Sequence, residues 1–449
     1  MSPFFSKLFG FDPQKHNVRT EIIAGITTFL TMAYILAVNP SIFSALADQG
    51  MPTNAVFTAT ALAAIIGTLV MALYAKKPFA LAPGMVLNAF FVYTVCLTMG
   101  YSWQFALTAV LIEGIIFILL TVTNVREAII NAIPKAMKSA VSAGIGLFIA
   151  FIGLYNAHIV VGGGGTVVAL GDIMHGTAAV ALIGLVITSV LMILKIRGAM
   201  LIGIIATSIV GLFFQEPVDY ENLDAGMKAV TLFGGVVDKV PDVTPILCKF
   251  EWHNIFTKDM LIVVFTFLFI DMFDTIGTVI GVSKKANAIN PDGTIPGVKK
   301  VLMADAIATV FGAIFGTSTT TTYVESASGV AEGGRTGLTS FTVAICFAIS
   351  LFFAPIFLAI PSAATAPALI LVGCMMMTSI LDVDFNDFSE SIPAYICMIM
   401  MPLAYSISDG IMLGMISYVV LNVICGKAKK INLMTWILAI LFIIRYACL

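Results

Sequence analysis

Charge is scarce in this chain. Of its 449 residues, 11% are Asp, Glu, Lys or Arg, while 59% are hydrophobic. The mean hydropathy is +1.04. Apolar runs of about 18 residues or more recur along the whole length, which describes a polytopic membrane protein and excludes a soluble domain. Cysteine is sparse and unpatterned. The seven residues Cys96, Cys248, Cys346, Cys374, Cys397, Cys425 and Cys448 are odd in number, mostly within apolar runs, and form no CxxC. They read as small packing residues, without a disulfide framework or metal site. The four histidines fall in loops or at span ends and no HExxH occurs, so a zinc enzyme is not expected. A cleavable signal is missing too, because the first apolar run is too long for a signal core. Phe4, Phe5, Leu8 and Phe9 fit one side of a short interfacial helix, or an irregular start. The net charge of −2 points to no partner, and no nucleic-acid partner is expected.

What is present is a series of spans. They cover roughly 20–39, 54–75, 79–97, 103–123, 134–155, 176–195 and 199–215. After a polar stretch at about 216–257, a second set covers roughly 259–283, 300–317, 318–333, 336–360, 363–380, 388–406 and 409–426. A final apolar stretch, about 431–447 with Arg445, is either interfacial or an extra span. Lys7, Lys15 and Arg19 place the N-terminus in the cytoplasm. Alternation then puts Lys76–Lys77, Arg126, Lys195, Arg197, Lys284–Lys285, Lys299–Lys300, Arg335 and Lys427–Lys430 on the same side. The Gly162–Gly165 loop and the 216–257 stretch face the other side. The first and eighth spans run in opposite directions, which suggests an inverted repeat. Spans 3 and 10, at equivalent places in the two halves, are both interrupted. The first contains Pro83–Gly84, and the second opens with the β-prone run from Thr317 to Thr322. Paired breaks point to a site at the membrane midplane. One break alone would be an ordinary kink. Small residues at Ala143, Gly144, Gly146 and Gly153 read as close helix contacts.

The chemistry gathers at those breaks. Asp271 and Asp274 lie in FTFLFIDMFDTIGTVIGV, inside the eighth span and on one helix face. A charge at the bilayer centre costs roughly 2.5–3.5 kcal/mol on insertion scales. No Lys or Arg in the span offsets it. The plain reading is a pair of protonated structural carboxyls; the functional reading is a substrate or ion site. Asn88 lies early in the first half-helix and Glu325 early in the second, with Tyr323 two residues before it. Asn88 alone would be a helix–helix hydrogen bond, and Tyr323 alone a core aromatic. Together with the two aspartates they converge near the bilayer centre. Asp305 reads as a structural tie between the ninth span and the neighbouring break. Glu113 has no companion motif, and no role is assigned to it.

GITTFLTMAYILAVNP, LAPGMVLNAFF, FIDMFDTIGTVIGV, GTSTTTTYVESASGVAEGGRTGLT and SIPAYICMIMMPLAYSISDGI together resemble the AzgA-like purine permeases of the nucleobase/ascorbate transporter superfamily. The likeness runs from about Val18 to Lys430. It implies an all-α polytopic fold of fourteen spans in two inverted seven-span repeats, with short strands and half-helices in spans 3 and 10. Core-domain parts would cover 1–125 and 258–360, and gate-domain parts 126–257 and 361–449. It further implies a proton-coupled importer of purine bases in the plasma (inner) membrane. In that reading Asp271, Glu325 and Asn88 bind the base and Tyr323 covers its ring. Asp274 serves transport more than recognition.

The residues suit this. A carboxylate accepts two N–H groups side by side, hypoxanthine and guanine present N1–H, and an amide offers both donor and acceptor. Adenine is a further possible substrate. Burial and a like-charged neighbour both favour a neutral carboxyl, so one of Asp271, Asp274 and Glu325 is expected to carry the coupling proton. Beyond protons, no cofactor or metal is expected, and a homodimer through the gate domain follows from the likeness alone. The alternatives are a carrier of the same fold for xanthine, uracil or a small anion, and an intramembrane aspartyl protease. A protease pair should come from two spans, whereas Asp271 and Asp274 share one.

Overall fold

The computed structural model describes residues 3–123, 134–163, 167–213, 236–286 and 295–447. The domain boundary expected at 125/126, Arg126, Gly164–Gly165 and 214–235 of the polar stretch lie outside these residues. So do the side chains of Phe4, Phe5, Lys284, Lys285 and Arg445.

The chain begins with a short helix, α1 (Pro3–Phe9), whose Phe9 packs on Phe341. The first crossing is split. α2 (Val18–Met32) and α3 (Ile35–Phe43) are separated by a turn at Ala33–Tyr34. α4 (Thr53–Val70) returns and is followed by β1 (Leu81–Pro83). The half-helix α5 (Met85–Ala89) continues in π-type turns to Thr98, and α6 (Trp103–Thr123) follows. Next come α7 (Lys135–Asn156), a short hairpin of β2 (Val160–Val161) and β3 (Ala169–Leu170), α8 (Gly176–Ile193) and α9 (Ala199–Gly211). The second half opens with α10 (Lys258–Lys285) and α11 (Val298–Phe315), then β4 (Thr320–Thr322) and the half-helix α12 (Ser326–Ala331). It continues through α13 (Gly337–Ser350), α14 (Ala354–Leu358), α15 (Ser362–Met376), α16 (Phe388–Leu403), α17 (Ile407–Ile424) and α18 (Leu433–Ala447). Among the described residues, seven helical stretches are long and apolar enough to cross a membrane. The architecture is the helical membrane fold expected, with a strand and half-helix at both interrupted places.

Two groups of helices pack internally. In one, α11 lies on α4 and α6, α13 on α2 and α4, and α10 on α6. In the other, α7 lies on α15 and α16, α8 on α9 and α15, and α16 on α17. Small residues let the backbones approach as expected. A Cβ on Gly146 would lie 2.7 Å from the Gly373 carbonyl, and one on Gly144 2.9 Å from Met398 Cα. Within the first group, Glu21 on α2 is tied to the start of α13: its carboxylate accepts from the N–H groups of Arg335 (3.1 Å) and Thr336 (3.2 Å), just ahead of that helix.

The undecided stretch at 431–447 is helix α18, antiparallel to α17. Its far end meets the start of α17, where the Tyr446 hydroxyl donates to Asp409 Oδ1 (2.8 Å). Phe442 meets Phe265 of α10 edge to face, with ring centres 6.0 Å apart. Thr435, Leu438, Ala439 and Phe442 face the protein, while Leu433, Ile437, Ile440 and Ile443 are exposed.

Candidate functional site

The two breaks meet. β1 and β4 pair antiparallel, Leu81 opposite Thr322, Ala82 opposite Thr321 and Pro83 opposite Thr320. The pairing is extended at its ends by Gly84 N–H to the Thr319 carbonyl (3.0 Å) and Tyr323 N–H to the Ala80 carbonyl (2.9 Å). A two-stranded sheet buried in a membrane has two outer edges whose backbone groups need partners. Hydroxyls and acids from surrounding helices supply them. Thr68 on α4 accepts from Leu81 N–H (3.0 Å). Ser326 Oγ accepts from Ala80 N–H (3.0 Å). Thr309 on α11 donates to the Thr320 carbonyl (3.1 Å). Asp305 on α11 accepts at Oδ1 from Thr322 N–H (2.9 Å) and from the Thr322 hydroxyl (3.0 Å). This is the structural tie expected of Asp305. Glu113, left without a role by its sequence context, performs a similar task from α6: its Oε2 accepts from the Thr319 hydroxyl (2.6 Å).

The two acids of α10 sit differently. Asp271 is fully buried. Its Oδ1 lies 3.1 Å from Thr275 Oγ1, which also lies 2.9 Å from Asp305 Oδ2 and 2.8 Å from Thr321 Oγ1. One hydroxyl hydrogen thus stands between two carboxyls. Asp274, one turn further, is only partly buried, within electrostatic reach of Asp305 and Glu325. Glu325 precedes α12, is itself partly exposed, and accepts at Oε1 from the Tyr34 hydroxyl (2.6 Å). Tyr323 is nearly buried, and its hydroxyl donates to the Pro83 carbonyl (2.6 Å), clasping one break to the other. Asn88 is buried on α5, where its Oδ1 accepts from the Ser318 hydroxyl and its Nδ2 has no partner among the described residues. Asp274, Glu325 and Tyr323 therefore share one neighbourhood with Tyr34, Asp271 is joined to Asp305 through Thr275, and Asn88 is joined to the threonine run.

Tyr34 escaped the sequence reading. In MAYIL it looks like any core aromatic, and only the turn at Ala33–Tyr34 brings it to Glu325. Thr275 escaped for a similar reason: a threonine in a span ordinarily bonds to its own helix. Among the described residues, no three His, Cys, Asp or Glu side chains are grouped to hold a metal ion.

A profile described as a permease family matches residues 19–413. A guanine/hypoxanthine permease, PbuG of Bacillus subtilis, is 42% identical over 98% of both chains. An adenine permease, AdeQ of Escherichia coli, is 39% identical over 98% of this chain and 95% of its own. Among solved structures, murine Slc26a9, an anion transporter in the inward-facing state, superposes with a TM-score of 0.65 at 13% identity, covering 95% of this chain and 72% of that one. That likeness shows a shared fold and nothing about the cargo.

Proposed function

The chain belongs to the nucleobase/ascorbate transporter family, with the AzgA-like purine permeases, and from that premise we propose that it is a proton-coupled importer of purine bases, hypoxanthine and guanine foremost, working by alternating access. It is a permease and not an enzyme, which removes the protease reading. The observation that carries the site is Glu325: a partly exposed carboxyl at the meeting of two broken elements inside the membrane, which accepts a hydrogen bond from a neutral phenol. Such a group accepts N–H donors from the edge of a flat base. Asp274 lies within electrostatic reach of Glu325, Tyr323 offers its ring, and the Asn88 amide nitrogen provides a donor. Asp271 belongs to the base-reading set or to the proton path, and its position beside Thr275 and Asp305 favours the proton path.

Proton coupling is supported by hydrogen counting. Thr275 has one hydrogen and two carboxyl neighbours, so the cluster has a natural place for one more proton. The core and gate parts, the fourteen crossings in two inverted repeats and the cytoplasmic N-terminus belong to the same proposal, with the two helix groups as support. The adenine-permease relative keeps adenine as a second cargo.

The test is uptake of radiolabelled hypoxanthine in cells lacking their own purine carriers. Uptake rises as external pH falls and collapses with a protonophore, while sodium replacement leaves it unchanged. Glu325→Gln reaches the membrane and loses binding. Normal binding by that variant, or uptake that needs sodium and ignores the protonophore, overturns the reading.

A further inference from the structure

Tyr34 lies in the turn between α2 and α3, its ring buried and its hydroxyl 2.6 Å from Glu325 Oε1. Resting on the reading that Glu325 meets the base, we propose that Tyr34 is a specificity-determining residue: its hydrogen bond weakens one of the two Glu325 oxygens as an acceptor for the base, so that guanine and hypoxanthine bind alike.

A neutral phenol donating to a carboxylate forms a short, charge-assisted hydrogen bond. The oxygen that accepts it holds less negative charge for a second donor, so Oε2 remains the stronger acceptor. The neighbouring groups do not offset this. The Tyr323 hydroxyl is turned to the Pro83 carbonyl, and an ionised Asp274 has no hydrogen to give. Guanine carries N1–H and an amino N–H side by side, the spacing that fits both oxygens of a free carboxylate. Hypoxanthine carries N1–H alone. With Oε1 held by Tyr34, the amino group of guanine gains little. Removing the phenol oxygen frees Oε1 and opens the two-pronged contact to guanine only.

The experiment measures Kd for guanine and hypoxanthine on the purified full chain, for wild type, Tyr34→Phe and Glu325→Gln. Wild type binds the two bases within about threefold of each other. Tyr34→Phe keeps the ring and its packing, and moves the ratio toward guanine by about tenfold, the scale of one hydrogen bond to a charged group. A merely structural role for the hydroxyl would weaken both bases equally and leave the ratio where it was. An unchanged ratio in folded Tyr34→Phe overturns the inference. So does a wild type that already prefers guanine by about tenfold, a measurement that needs no variant. If Glu325→Gln binds normally, the reading of Glu325 itself fails. If Glu325→Gln loses binding and the Tyr34→Phe ratio stays put, only the inference about Tyr34 fails.

Discussion

Asp305 is the clearest place to test how the buried strands are held. Its carboxylate accepts from Thr322 N–H at 2.9 Å, from the Thr322 hydroxyl at 3.0 Å and from the Thr275 hydroxyl at 2.9 Å. In Asp305→Ala the Thr275 hydroxyl has alternatives, since Thr321 Oγ1 and Asp271 Oδ1 lie at 2.8 and 3.1 Å. The Thr322 backbone N–H has no such choice, and a stranded buried donor costs about 1–3 kcal/mol. Adding about 1 kcal/mol for the Thr322 hydroxyl gives an opening of the strand pair easier by about 2–4 kcal/mol. At 1.4 kcal/mol per factor of ten, that is roughly thirtyfold to several-hundredfold faster exchange of the Thr320–Thr322 amides. Hydrogen exchange read by mass spectrometry on the peptide containing β4 measures it. Asp305→Asn keeps one acceptor oxygen for Thr322 and exchanges at an intermediate rate. If Asp305→Ala exchanges within about threefold of wild type, the strands are held by something other than Asp305.

Two further outcomes follow from the periphery. Asp387 caps α16 and pairs with Lys427 (2.8 Å), and hydrogen bonds from Lys427 and Ser389 hold its carboxyl below the usual carboxylate range. A carboxyl lowered on folding stabilises above the ordinary carboxylate range and loses that contribution as pH falls through its lowered value. The melting temperature of Asp387→Ala therefore lies below wild type by a constant gap between pH 8 and 5, and the gap closes only in strong acid; a gap already shrinking between pH 8 and 6 contradicts the pairing. At the other end of the chain, α18 has an exposed face of Leu433, Ile437, Ile440 and Ile443, whereas an interfacial helix shows a polar one. A phosphatase fused at the C-terminus should therefore lie across the membrane from the Gly426–Lys430 turn, and labelling of both on the same side would refute a crossing.

Much of the fold and part of the site were legible in the residues. Pro83–Gly84 and the run from Thr317 to Thr322 interrupt spans that otherwise read as helix, and the structure has strands at both. Asp271, Asp274 and Glu325 stood out because charge inside an apolar run is costly wherever it falls. Asp305 was readable as a tie because it lies close in sequence to the break it serves. The pairings that span the chain were not readable. Glu113 meets a threonine 206 positions away and Tyr34 a glutamate 291 positions away. Local periodicity reports which face of a helix is apolar, and it says nothing about which distant hydroxyl that face will meet. Tyr34 carried no signal of its own, since aromatic residues are at home in any span.

The scarcity of basic residues and the run of threonines are two sides of one solution. The strand pair needs donors and acceptors on both edges, and lysine or arginine would supply fixed positive donors beside Asp271, Asp305 and Glu325. Those charges would neutralise the acids and remove any gain from binding a proton. A hydroxyl donates or accepts as its rotor turns. Thr275, set between Asp271, Asp305 and Thr321, can donate to either carboxylate and accept from the other once that one is protonated. For the proton coupling proposed above, this lets the cluster gain or lose a proton without leaving a buried group unpaired, which would cost about 1–3 kcal/mol at each step. Replacing the hydroxyl by a methyl, as in Thr275→Val, keeps the volume and removes the rotor. Concentrative, proton-driven uptake should therefore fall in Thr275→Val, as it does when one of the acids beside it is replaced.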